Sequence, residues 1–200
     1  MPLPAHIKRS FDLGHWLAAE LNDLSLPASL RHRSSAACLS VTQDHQLAIT
    51  SLSEQGLYSS AFALIRPLFE SYVRGLWLAH CASDKELDSF SKGGEPPGIT
   101  RLLAAIEALP SFANGRLSNI KAQSWNAMCE FTHTGSLQVQ RWNTESSIEQ
   151  NYPPEELIEA LSFSGAIALL SGIGMATLAA NELLELKLLE RSHQYAKNAP

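Results

Sequence analysis

Residues 57 to 82, LYSSAFALIRPLFESYVRGLWLAHCA, form a segment that is apolar almost all the way round a helix. On a wheel of about 100° per residue, Phe62, Ile65, Phe69, Tyr72, Val73 and Leu76 cover one side, and Leu64, Leu68 and Leu78 cover much of the other. A helix of this kind is stable only when other helices surround it. Elsewhere strand-like alternation is nearly missing, while apolar spacings of three and four recur. The chain therefore reads as all-α, a single-domain up-and-down helical bundle spanning residues 1–200, with about five to seven helices.

Punctuation residues set the expected boundaries. A first helix carries Phe11, Leu13, Trp16, Leu17 and Leu21 and stops near SLPAS, and a second ends at Gly56. Ser83 is placed to cap a short charged helix, and SKGGEPPG is a surface loop. Further helices are expected from Thr100 to Leu109 and from about Arg116 to Thr134, the latter stopped by Gly135. One long C-terminal helix is expected to begin near Pro154. It contains the uncharged run from Ala160 to Asn181, long enough to span a bilayer. Glycines and serines dilute its hydropathy and its flanks are acidic, so a core helix with no membrane is the expectation. Ser164, Ala168, Gly172, Ala176 and Ala180 form a small-residue seam for an internal helix or a second copy of the chain.

Against this apolar background Arg66, Glu70 and Arg74 stand out, within a sector of the 57–82 helix roughly 80° wide. They are either a polar site, or a solvent window or structural clasp in which Glu70 bridges two arginines. Pro67 cannot donate to the carbonyl of Ala63. Either an arginine takes up that freed oxygen, or the helix restarts at Pro67 with Arg66 extended.

Two histidines are expected to face the stripe. His45 shares a presumed apolar seam of the second helix with Cys38, Val41, Ala48 and Leu52, beside Asp44. His133 falls in the last turn before Gly135, where the negative helix end favours an imidazolium, and Thr132 and Thr134 flank it with hydroxyls. Two histidines, a carboxylate and two arginines suffice for metal-independent acid and base catalysis, or equally for holding an anion. The candidate catalytic residues are His133, Arg66, Glu70 and Arg74, and the candidate binding residues are His45, Thr132, Thr134 and Trp77. No cofactor and no metal site is expected, since phosphate loops, zinc-protease motifs and carboxylate clusters are missing from the sequence. Cys38, Cys81 and Cys129 show no pairing pattern and read as reduced thiols. The N-terminus lacks the order of a signal peptide, which predicts a cytoplasmic protein. A net charge of −5 argues against strong non-specific attraction to nucleic acid.

The runs SSAFALIRPLFESYVRGLWLAHCA and FTHTGSLQ resemble an uncharacterised bacterial family in which R-P-x-x-E-x-x-x-R-G-x-W and T-H-T-G patterns recur. The resemblance extends from about Asp44 through the final helix. Such proteins are distantly similar to the HEPN superfamily of small helical bundles, many of them metal-independent ribonucleases of toxin and phage-defence systems that usually dimerise. The resemblance implies a HEPN-like fold, a homodimer, and RNA or a partner protein as ligand. The HEPN pairing of arginine with a later histidine is formally met by Arg74 and His80. Gly75 replaces the usual polar neighbour, however, and on a straight helix His80 points about 120° away from Arg74, toward the packing side with Phe62 and Val73. His133 is therefore the expected catalytic histidine.

Overall fold

A computed structural model describes residues 1–197. Regular structure among them is helical, apart from one isolated bridge between Asn143 and Ile148. Helix α1 spans Leu3–Leu21 and α2 spans Leu30–Glu54, opened by Ser29, whose hydroxyl accepts the His32 N–H. Ser83 and Glu86 form a reciprocal capping box at the start of α5, Asp84–Ser91. Helix α6 covers Ile99–Glu107 and α7 covers Arg116–Thr132.

The apolar 57–82 segment folds as two helices, α3 (Tyr58–Ala63) and α4 (Ile65–His80), parted at Leu64. Pro67 lies in the first turn of α4, where its missing N–H would have had no intrahelical partner. Arg66 is helical, so neither a restart at Pro67 nor an extended Arg66 occurs. The spare carbonyl of Ala63 is taken by the Thr132 hydroxyl, 3.2 Å away on α7, and not by an arginine. A small hydroxyl fits beside a break that a guanidinium would have to straddle.

As its composition requires, α4 is central. Leu68, Phe69, Val73 and Leu78 are fully buried in the largest apolar cluster. Its closest neighbour is α2, and the crossing depends on Gly75, because a Cβ there would stand 2.7 Å from a Leu39 methyl. The buried face of α2 is not the Cys38–Val41–His45 seam. Val41 is 42% exposed, while Leu39, Thr42, Gln46, Ile49 and Thr50 are buried. The polar members are tolerated because each makes a hydrogen bond, although Gln46 Oε1 has no partner among the described residues. Thr42 meets Ser71 at 2.9 Å, and Gln46 donates to Ser10 and Thr50. Satisfied hydroxyls thus occupy positions where a hydropathy pattern looks for carbon.

After α8, Ser136–Gln140, the long apolar run becomes α9 (Pro154–Leu178), followed by a separate α10 (Glu182–Lys197). Ala180, at φ 51°, turns the chain, and the Asn181 side chain accepts the Leu184 N–H to start α10. These two splits, together with the short α8, raise the number of helices above the expected range. The small-residue seam is internal: Ser164, Ala168, Gly172 and Ala176 are buried, and Gly172 lets Leu17 of α1 and Leu188 of α10 approach. Helix α9 is long and apolar enough to cross a membrane, and 56% of its apolar window is buried within the protein.

Candidate anion-binding groove

Successive turns of α4 present Arg66, Glu70 and Arg74 as one ladder. Arg66 Nε donates to Glu70 Oε1 at 2.7 Å, and Arg74 Nη2 donates to Glu70 Oε2 at 2.5 Å. Their side chains are 23%, 15% and 39% exposed in chain order, so the ladder lies half-sunk and is not a free solvent face. It forms one wall of a groove of about 340 Å³. The other walls are Trp125 of α7, Glu95 and Pro96 of the turn-rich loop, and the start of α6 at Gly98 and Ile99.

Charge in the groove is finely divided. Two guanidiniums face two carboxylates, Glu70 within the ladder and the exposed Glu95 on the loop. The start of α6 has no side-chain cap and no acidic residue in its first turn, so its N–H groups add partial positive charge. Among the described residues the Arg74 guanidinium has Glu70 as its one hydrogen-bond partner, leaving most of its five donors unspent. Arg66 is more fully engaged, with its Cζ lying 4.8 Å from the Trp125 ring centroid.

His133 joins the ladder from the end of α7, with Nε2 lying 2.6 Å from Arg66 Nη1. A guanidinium can only donate, so in this contact Nε2 is placed as the acceptor. The whole THTG run, residues 132 to 135, is a joint. Thr132 holds Ala63, His133 reaches Arg66, and Thr134 takes a left-handed conformation at φ 54°. Gly135 then donates back to the Glu130 carbonyl at 2.7 Å, closing a Schellman turn. The helix stop is Thr134, whereas a Cβ at Gly135 would meet the tip of the Glu130 side chain and displace its carboxylate. That carboxylate accepts from Leu137 N–H and the Ser136 hydroxyl, which hold it below the usual carboxylate range.

The remaining candidates lie elsewhere. Trp77 is 4% exposed within the core, because it continues the ladder's face of α4 beyond Arg74, where that face is buried. His45 is half-buried on α2 and does not line the groove, and burial pushes its imidazole below its ordinary range. Thr134 is exposed and serves the turn. His80 is exposed at the end of α4, beside Phe112 at 5.9 Å, and is not on the packing side with Phe62 and Val73. Its distance from the ladder along α4 keeps the formal Arg74 and His80 pair from forming a site. Trp125 and the α6 start were not singled out by the sequence. A lone tryptophan in the polar stretch KAQSWNAM was the one available signal.

A second cavity, about 480 Å³ and mainly apolar, is lined by Phe62, Met128, Phe131 and Phe163, with the ion pair of Arg141 and Glu156 on its wall. Among the described residues no three metal-ligating side chains come together. The match to a known family covers residues 39–200 and therefore takes in α4, the groove and the THTG joint. The chain belongs to the family of unknown function DUF6988. No curated protein and no solved structure matches it. Within this DUF6988 chain, only α1 and the beginning of α2 lie outside the matched residues.

Proposed function

We propose that this protein is a HEPN-like RNA-binding effector, cytoplasmic and homodimeric, of a bacterial defence or toxin system, whose α4 groove holds a phosphate of a short single strand. The carrying observation is the unspent guanidinium of Arg74 beside Arg66 in a half-buried groove. Trp125 offers an apolar ring on the same wall, and the uncapped start of α6 favours an anion. The net charge of −5 gives no long-range attraction, so recognition rests on the groove and suits a short ligand.

Metal-independent cleavage fits the same geometry. A phosphate that draws Arg66 Nη1 to itself releases His133 Nε2, which takes the proton of a 2′-hydroxyl as that oxygen attacks phosphorus. The P–O5′ bond breaks, the 5′-oxygen takes a proton from water, and Arg66 and Arg74 hold the phosphate oxygens. Fluorescence anisotropy with short RNA tests binding, and incubation of the RNA in chelator tests cleavage. Binding that Arg74→Ala weakens about tenfold, and cleavage that His133→Ala abolishes, are the expected results. RNA left unbound by the wild-type chain would sink the reading.

One observation favours a non-catalytic interaction module with a structural clasp: both oxygens of Glu70 are already spent on the two arginines. In that case Arg74→Ala leaves RNA binding unchanged and lowers stability instead.

A further inference from the structure

Helix α10 carries two faces of leucine, and only one of them has a partner. Leu184 and Leu188 are buried against α1 and α9, while Leu183, Leu186 and Leu189 are 83%, 64% and 36% exposed. At about 100° per residue the exposed three form a stripe centred on Leu186, directly opposite the buried pair. Three large exposed side chains on one helix are more than the scattered apolar residues of an ordinary surface. The charges along this stripe are ordered. Glu182 stands at its beginning, Lys187 and Glu190 at its middle, and His193 and Lys197 at its end.

We infer that this stripe is the contact between two copies of the chain, paired antiparallel through α10 across a two-fold axis near Leu189. That arrangement buries Leu186 and Leu189 against the same residues of the second copy. It sets Lys187 beside Glu190 across the contact and Glu182 toward His193 and Lys197, each pair occurring twice by symmetry. A parallel pairing would set Glu182, His193 and Lys197, which lie within about 40° of the middle of the stripe, each against its like, so the order of charges selects the antiparallel one. Lys187 also pairs with Glu20 of its own α1 at 2.6 Å and its Nζ lies 6.0 Å from the Trp16 ring centroid, which fixes it at the flank of the stripe. The inference rests on the reading that the chain pairs with itself, and it supplies the surface; it does not depend on the groove binding RNA.

The test is sedimentation equilibrium of the full chain over a range of concentrations. The wild type is expected at twice the chain mass of 21.8 kDa. Leu186→Glu, an exposed change on α10 that leaves the core untouched, is expected at the single-chain mass with an unchanged circular dichroism spectrum. Glu182→Lys should raise the dissociation constant about tenfold, and adding Lys197→Glu should restore it. A wild type that stays monomeric throughout overturns self-pairing altogether. A dimer that survives Leu186→Glu overturns this surface alone.

Discussion

Arg66 Nη1 and His133 Nε2 meet at 2.6 Å although 67 residues of chain separate them. The contact ties the first turn of α4 to the residue that follows α7, and Thr132, the last residue of α7, makes a second tie. The break at Leu64 and the THTG turn are therefore two halves of one joint. The groove lies along the same helix, so whatever fixes the joint also fixes the angle at which Arg66 is presented.

Removing the charge of Glu70 separates the two readings of the ladder. Glu70→Gln keeps the shape and one accepting oxygen, so the loss is expected to stay below about 1 kcal/mol, a shift of roughly 2–4 °C in melting temperature. With one negative charge gone, RNA should bind more tightly to the variant. A larger thermal loss with no change in anisotropy would identify the ladder as a clasp.

The hydroxyl of Thr132 also donates within its own helix, to the Met128 carbonyl at 2.8 Å. Thr132→Val keeps the volume and removes the donor, leaving the Ala63 oxygen without its partner from α7. Urea denaturation should show a loss of about 1–2 kcal/mol. Thr132→Ser should recover most of it. Equal stability of all three proteins would mean that water serves the Ala63 carbonyl as well as the hydroxyl does.

Acid should weaken the fold through two imidazoles that the fold makes less basic, the half-buried His45 and the more exposed His80. Burial lowers the His45 pKa, with Asp44 acting in the opposite sense, and burial together with Arg31 lowers that of His80. The unfolded chain then binds protons more readily than the folded one below the ordinary histidine value of 6.5. Stability is complete above that value and falls as pH drops from it toward the lowered folded values. Melting temperature measured between about pH 7 and about pH 5 should decline, and less steeply for His80→Asn.

Much of this was legible in the sequence, and the gaps have physical causes. Helix α4 could be placed at the centre because its apolar residues surround it, and Arg66, Glu70 and Arg74 fell on one face because a spacing of four is geometry alone. His45 was misplaced because α2 buries hydrogen-bonded hydroxyls such as those of Thr42 and Thr50, which carry no hydropathy signal. Trp77 was credited to a site because its motif is contiguous with the ladder, and the burial of the ladder's own face beyond Arg74 leaves no mark in the sequence. The α6 wall of the groove was invisible because backbone N–H groups at a helix start have no letter of their own. The division between α9 and α10 was missed because an alanine supplies the left-handed turn where glycine is the usual signal.

Gly75 gives the sharpest test of what the Arg-Gly pattern is for. If it were a relaxed catalytic neighbour of Arg74, alanine would be tolerated there, and its higher helix propensity would even help. The structure assigns it to the crossing of α2 and α4, where the carbonyl of Ser35 also lies 3.4 Å from a prospective Cβ. Leu39 would have to give way, while that carbonyl stands at contact distance and limits how far the helix can shift to help. Gly75→Ala is expected to cost about 1–3 kcal/mol through overpacking. Trimming the opposing side chain in Gly75→Ala/Leu39→Val should recover part of the loss, because the two residues share one contact and their effects are not additive. Denaturation of the four proteins in the cycle measures that coupling. A Gly75→Ala variant as stable as the wild type would mean that the crossing tolerates a methyl group, and the glycine would then need another explanation.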